Sequence, residues 1–247
     1  MSGNKFQNKK LDKVMSSLAK GATHIVSSPE TIEKLKAMGL PIEERFISYE
    51  EYFEKLIARK RKNAIVLLKQ LPLLDKSIAN GVISAIYEEI RSSFALEILT
   101  STIFNSILLL EFAMRTRLYD ERLKSDPKAK WEETEKLNME QLVRRLRHLE
   151  IIDEQDKRAL NDFNEKFRNP YLHINIHKMV QGIYADNLNK VDISTSEVVR
   201  ENAVNVSQHR HLWFMAKNFY DKTYVISVLN FCITWTNTLL KTKLGVS

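Results

Sequence analysis

Arg168, Asn169 and His173 fall in one short stretch, Phe167-Arg168-Asn169-Pro170-Tyr171-Leu172-His173. The residue types predict that Asn169 caps a new helix, with Pro170 at its first position, where a missing N–H costs nothing. His173 then lies one turn inside that helix on the side of Asn169, and Arg168 stands beside the free N–H groups of the helix start. A cation, an amide and an imidazole so placed can hold a phosphodiester and move protons on it. Arg168 would meet charge developing on phosphate, His173 would take or give a proton near neutral pH, and Asn169 would orient either. The same residues also make an ordinary helix junction with an incidental histidine.

Other groups could join them. Glu111 and Arg115 are one turn apart, just past the apolar run Ile107-Leu108-Leu109-Leu110, and are expected to pair at the edge of the core. His177 follows His173 by one turn; two such histidines can share a metal, but no cysteine pair or suitably placed Glu completes a zinc set. No Gly-rich phosphate loop, nucleophile elbow or paired catalytic carboxylates occur, and no cofactor is expected.

The elements that must position these residues read as helices throughout. Ser48-Tyr49-Glu50-Glu51 is a capping box, and the helix it opens runs to the basic run Arg59-Lys60-Arg61-Lys62. A second helix from about Asn63 is broken near Pro72. After Gly81, apolar residues recur at helical spacing from Ile86 through Ile103 to Leu118, predicting one long helix or two nearly collinear ones. Asn138 and Asp153 each open a further helix, the first burying Leu142, Val143, Leu146, Leu149 and Ile152 and carrying Arg144 and Arg147 on other faces. The second runs through Leu160 and Phe163 into the Arg168 junction. Residues 178–208 are polar, with Ser194 and Glu197 suggesting a short helix. A last helix over His211 to Lys241 should bury Trp213, Phe214, Phe219, Val225, Leu229, Ile233 and Leu240.

Composition agrees with an all-α chain. Six glycines and five prolines in 247 residues suit long helices. The single Cys232 excludes an internal disulfide framework and fits a reducing cytoplasm. The polar, basic start has no apolar stretch of a signal peptide. Thr223 to Leu240 is free of charge, but Ser227, Asn230, Thr234 and Asn237 within it point to a buried helix rather than a membrane span. Residues 1–80 hold 15 Lys and Arg against 9 Asp and Glu, a balance of +6 in a chain of net +7. Arg59, Lys60, Arg61 and Lys62 make that arm attractive to a polyanion such as RNA, and Arg144 and Arg147 could hold a substrate backbone. Aromatics are not interleaved with these charges, so the run shows no base-stacking pattern. A solvated face is the plain alternative for each.

Arg168-Asn169-x-x-x-His173, ending a helix in an all-helical chain, resembles the signature of the HEPN superfamily (higher eukaryotes and prokaryotes nucleotide-binding). The resemblance covers about Ser92 to His177 and the last helix. It implies an antiparallel helical bundle over 82–247, with a polar insertion at about 178–208 and a basic, mainly helical extension over 1–81. It implies a metal-independent endoribonuclease that uses the RNA's own 2′-OH as nucleophile, with Arg168, Asn169 and His173 catalytic and Glu111, Arg115, Tyr171 and His177 in support. One motif per chain implies a homodimer that pairs two motifs across a cleft. A defence or toxin-like role under a regulatory partner is the family analogy, with no membrane involved. In one toxin subgroup a tyrosine two residues after the histidine is modified by an antitoxin. Ile174 and Asn175 follow His173 here, which excludes that control at that position. Many HEPN domains lack the Arg/His pair and serve only as RNA-binding or protein-interaction modules, and this second reading stands beside the first. The enzyme reading requires Arg168 and His173 exposed in a cleft; a buried salt bridge at either weighs against it.

Overall fold

A computed structural model describes residues 25–26, 33, 46–79, 81–186, 188–191 and 198–241. The chain is all-α in character and divides into two compact units, 1–63 and 64–247. In the first unit Ile25–Val26 (β1) pairs in parallel with Phe46–Ile47 (β2). Ser48 caps helix α1 (Tyr49–Gln70) by accepting from the Glu51 N–H, while the Glu51 carboxylate pairs with Lys55. Where the sequence suggested two helices flanking the basic run, α1 is continuous through it and stops before Pro72; none of its residues is buried.

The second unit is built on three long helices: α2 (Gly81–Ala95), α3 (Leu99–Ser125) and α9 (Trp213–Lys241). α3 lies between the other two and makes its main packing with both. Ile83, Ile90 and Phe94 of α2, Ile103, Ile107, Leu110 and Met114 of α3, and Val225, Leu229 and Ile233 of α9 share one core. α2 and α3 are not collinear, as the periodicity had suggested. The chain turns back through Glu97, which takes a left-handed φ of 54°, with Ile98 N–H bonded to Ser93 O at 2.8 Å and Glu97 N–H to Phe94 O at 2.9 Å. This is the bonding of a Schellman helix end, built without the glycine that normally marks it.

After α4 (Trp131–Glu135), whose Trp131 packs between Phe112 and Tyr119, come α5 (Met139–His148) and α6 (Glu154–Phe163). Both open with complete capping boxes, Asn138 with Gln141 and Asp153 with Asp156. α5 packs on α3, and α6 on α5. Leu142, Val143, Leu146 and Ile152 are buried as expected, but Leu149, next to the left-handed Glu150, is exposed.

Among its described residues the polar segment before α9 forms two short strand pairs. Tyr184–Ala185 (β3) pairs with Val204–Asn205 (β6), and Leu188–Val191 (β4) with Val198–Glu201 (β5), both antiparallel. Ser194 and Glu197, where a short helix was expected, lie outside the described residues. In α9 one face of the charge-free stretch is buried with α3, and its Asn237 binds the chain after α1, accepting from Asp75 N–H and donating to Leu73 O. Cys232 is a fully buried core residue, its thiol pushed up by desolvation. Phe214 and Phe219, expected inside, are 83% and 61% exposed: Phe214 precedes the Lys217–Asp221 turn where the start of α3 meets α9, and Phe219 falls on a different side of the helix from buried Asp221, Val225 and Leu229. Among the described residues no helix is long and apolar enough to cross a membrane.

Candidate functional site

The Arg168 junction is wound differently from the expectation. α6 does not end before it. It widens into a π turn over Asn164–Arg168 and continues as α7 (Asn169–Leu172). Asn169 has helical angles (φ −62°, ψ −45°), and its N–H bonds to Asn164 O, five residues back. It therefore caps nothing, and the free N–H groups of a helix start, foreseen beside Arg168, do not exist here. Pro170 explains the widening, because it cannot donate to Lys166 O four residues earlier, and a local π turn absorbs such a break. Lys166 O accepts instead from the Tyr220 hydroxyl of α9 at 3.3 Å.

His173 is also displaced from its expected place. It is the C-cap of α7, not a residue one turn inside a helix. Beyond it Ile174 takes a left-handed φ of 49°, with Asn175 N–H on Pro170 O at 2.8 Å and Ile174 N–H on Tyr171 O at 3.3 Å. This second Schellman end carries a β-branched residue at the position that favours glycine, a strained arrangement. Ile174 is 73% exposed, so little packing is gained by its side chain there. The His173 ring is exposed and makes no hydrogen bond among the described residues.

Glu111 joins the motif to the long helix α3. It is a buried carboxylate, its side chain 5% exposed, and it is gripped by two guanidinium groups. One oxygen accepts from Arg168 Nε at 2.8 Å and the other lies 2.8 Å from an Arg115 Nη. Arg115 also donates to Leu137 O at 3.1 Å, and Arg168 uses a further N–H on the Asn169 side-chain oxygen at 3.0 Å. Two cations on one anion leave the cluster with a formal charge of +1. Yet the Arg168 side chain is only 15% exposed. That is the buried salt bridge that weighs against a cation free to meet phosphate. Asn169 orients Arg168, not His173.

Tyr171 belongs to a second buried network that the sequence did not suggest. Its hydroxyl donates to Asp221 of α9, whose other oxygen accepts from Lys217 Nζ at 2.6 Å and from the Thr100 hydroxyl at 2.6 Å. The Lys217 ammonium also stands 5.2 Å over the Tyr171 ring. Burial, and then Asp221, push the Tyr171 phenol far above its ordinary range, so it is a fixed donor that anchors α7 to α9 and to the first turn of α3. Lys217 and Asp221, an opposite-charge pair at i,i+4 on one helix, were the available signal.

The remaining predicted residues lie apart from this cluster. His177, in α8 (Ile176–Met179), packs edge-on against Trp213 at 6.0 Å. Arg147 pairs with Glu154 at 3.5 Å, while Arg144 is exposed without an ion pair among the described residues. Arg59, Arg61 and Lys62 are exposed on α1, with Lys60 half-buried. Among the described residues no three His, Cys, Asp or Glu side chains gather as metal ligands. No protein-family model matches the chain, and neither a curated protein nor a solved structure is significantly similar to it.

Proposed function

We propose that this chain is a metal-independent endoribonuclease of HEPN type, acting as a homodimer in which two Arg168/His173 pairs face one cleft. The observation that carries the reading is the joint placement of the motif: Arg168 held at a fixed position by Glu111 and Asn169, and His173 presented bare at the end of the same helical turn. A guanidinium anchored through Nε and one terminal nitrogen keeps its other N–H groups for a phosphate oxygen, and the +1 of the cluster favours that anion. His173 moves the proton of the attacking 2′-OH or of the leaving oxygen. One pair supplies too few groups for both tasks, which is the reason for two copies. A role in defence or as a toxin, in the cytoplasm, is the family analogy that goes with this reading.

A second reading has its own support. Arg168 is largely covered and its charge is engaged by Glu111, as suits a non-catalytic RNA-binding or protein-interaction module of the same type. One experiment separates the two. Purified protein is incubated in EDTA with single-stranded RNA and with DNA, and the product ends are identified. The enzyme reading expects RNA cut to 2′,3′-cyclic phosphate or 3′-phosphate ends, DNA left whole, and cleavage abolished in His173→Ala and Arg168→Ala. His173→Ala should keep its fold and RNA binding, because that ring is exposed. Ends bearing 5′-phosphate, or a need for divalent ions, would refute the mechanism. A folded dimer that cuts no RNA supports the module, and a protein that stays monomeric by light scattering with RNA present removes the two-motif cleft.

A further inference from the structure

The aromatics missing from the basic run are concentrated elsewhere. Between the turn Met179–Tyr184 and the outer face of α9 lies a cavity of about 340 Å³, walled by the rings of Tyr184, Phe219, Tyr220 and Tyr224. Tyr184 and Phe219 are each 61% exposed and Tyr224 38%, so three of these rings reach solvent. Tyr220 and Tyr224 are held from behind. Phe167 contacts Tyr224 edge-on at 5.4 Å and Tyr220 at 6.4 Å, and Tyr220 and Tyr224 lie 4.6 Å apart. The facing turn is fixed by Gly182, at a left-handed φ of 83°, and by the pairing of Tyr184 with Asn205.

The chemistry of the lining is selective. Among the described residues no charged side chain borders the cavity. The Tyr220 hydroxyl is already used on Lys166 O, but the Gln181 amide and the hydroxyls of Tyr184 and Tyr224 have no hydrogen-bond partner among the described residues. Rigid aromatic faces with one amide and two hydroxyls at the edge suit a flat, uncharged heterocycle that stacks and also hydrogen-bonds along its rim. Lys178 and Lys222, each exposed and adjacent in sequence to a lining residue, lie on the two strands of chain that form the walls and would suit an anionic backbone outside the cavity. Phe167, which braces the wall, immediately precedes Arg168.

We infer that this aromatic cavity is a base-stacking subsite that takes one unpaired nucleobase of a single-stranded RNA next to the Arg168/His173 motif. It rests on the functional reading above for the identity of the strand, and on the lining alone for the heterocycle. Stacking on such rings is tolerant of base identity, so the subsite sets the position of the strand more than its sequence.

The test uses the full chain carrying His173→Ala and a short single-stranded RNA with one 2-aminopurine, whose fluorescence is quenched on stacking. Quenching is expected on binding, and Tyr184→Ala or Phe219→Ala should each weaken binding about 5- to 150-fold, the equivalent of the ~1–3 kcal/mol that one stacked base contributes. Both residues are exposed, so the variants should keep the wild-type circular dichroism and melting temperature. Equal quenching and affinity in wild type and both variants would overturn the subsite. A 2-aminopurine mononucleotide that binds as tightly as the oligonucleotide would assign the cavity to a free nucleotide and overturn the strand. Failure of cleavage with the stacking result intact would remove the catalytic reading alone; cleavage with no effect of the two substitutions would remove the subsite alone.

Discussion

Glu111→Gln is the sharpest probe of the motif's support. The carboxylate accepts from Arg168 with one oxygen and pairs with Arg115 through the other, both at 2.8 Å. Glutamine has the same shape, but one of its two terminal groups becomes a donor facing a guanidinium that can only donate. Two charge-assisted contacts, at roughly 1.5–3 kcal/mol each, are lost or weakened, and two cations are left without their shared anion. Residual solvent access to the arginines, whose side chains are 15% and 18% exposed, screens part of this. A loss of about 3 kcal/mol is therefore expected. At ~2–4 °C per kcal/mol for a chain of this size, thermal unfolding should fall by roughly 6–12 °C. Urea unfolding of Glu111→Gln, Arg168→Met and the double variant gives the pairwise coupling directly. About 1.5 kcal/mol or more is expected from such a contact, and a coupling below ~0.5 kcal/mol would show that the two side chains do not meet in solution. That result would also remove the anchoring of Arg168 on which the catalytic reading depends.

Ile174→Gly should stabilise the protein by about 0.5–1 kcal/mol, because relief of a β-branched side chain at positive φ outweighs the added freedom of the unfolded chain; a drop in the urea midpoint would count against the strain. Replacing the exposed Arg59, Arg61 and Lys62 by Gln should lower the dependence of log affinity for single-stranded RNA on log salt by about 2, at ~0.7 per phosphate contact. An unchanged slope would make the run a solvated face. Burial, and then Tyr224 and Asp221, disfavour the Tyr220 phenolate and push its pKa up to about 12 from the ordinary 10.0 of a phenol. A raised acid pKa gives stability that is complete below the unfolded value and lost as pH rises through the folded one. The urea midpoint should hold to about pH 10 and fall toward pH 12, less steeply in Tyr220→Phe.

What could be read from the sequence was local and chemically explicit. The capping residues Asn138 and Asp153 with their partners three positions on located α5 and α6, and the spacing of Glu111 and Arg115 gave their ion pair. The reversal between α2 and α3 was hidden because Glu97 sits where a glycine would have marked the helix end, and the apolar period runs through the turn unbroken. Asn169-Pro170 carries the signature of a helix start, but tertiary support from Glu111 and Tyr220 lets the helix pass through it. Asp221 could not be placed, since its three partners come from Thr100, Tyr171 and Lys217, contributed by α3, α7 and α9. Phe214 shows the converse limit: periodicity tells which face of a helix is apolar, not how far along it a neighbour extends.

Pro170 has a consequence for the uniqueness of the native state. A helix with one surplus residue between two fixed ends can be wound in more than one way, with the wide turn migrating along it, and each winding rotates Arg168 by about 100° relative to its neighbours. The proline ties the wide turn to one place, since only there does its missing donor go unneeded. With alanine at this position the same segment could exchange between windings, and the guanidinium would be shared between Glu111 and solvent on a conformational timescale. Doubled or exchange-broadened amide resonances over residues 164–173 of Pro170→Ala are the expected signature, and a single sharp set would show that Glu111 and Tyr220 hold the winding without it.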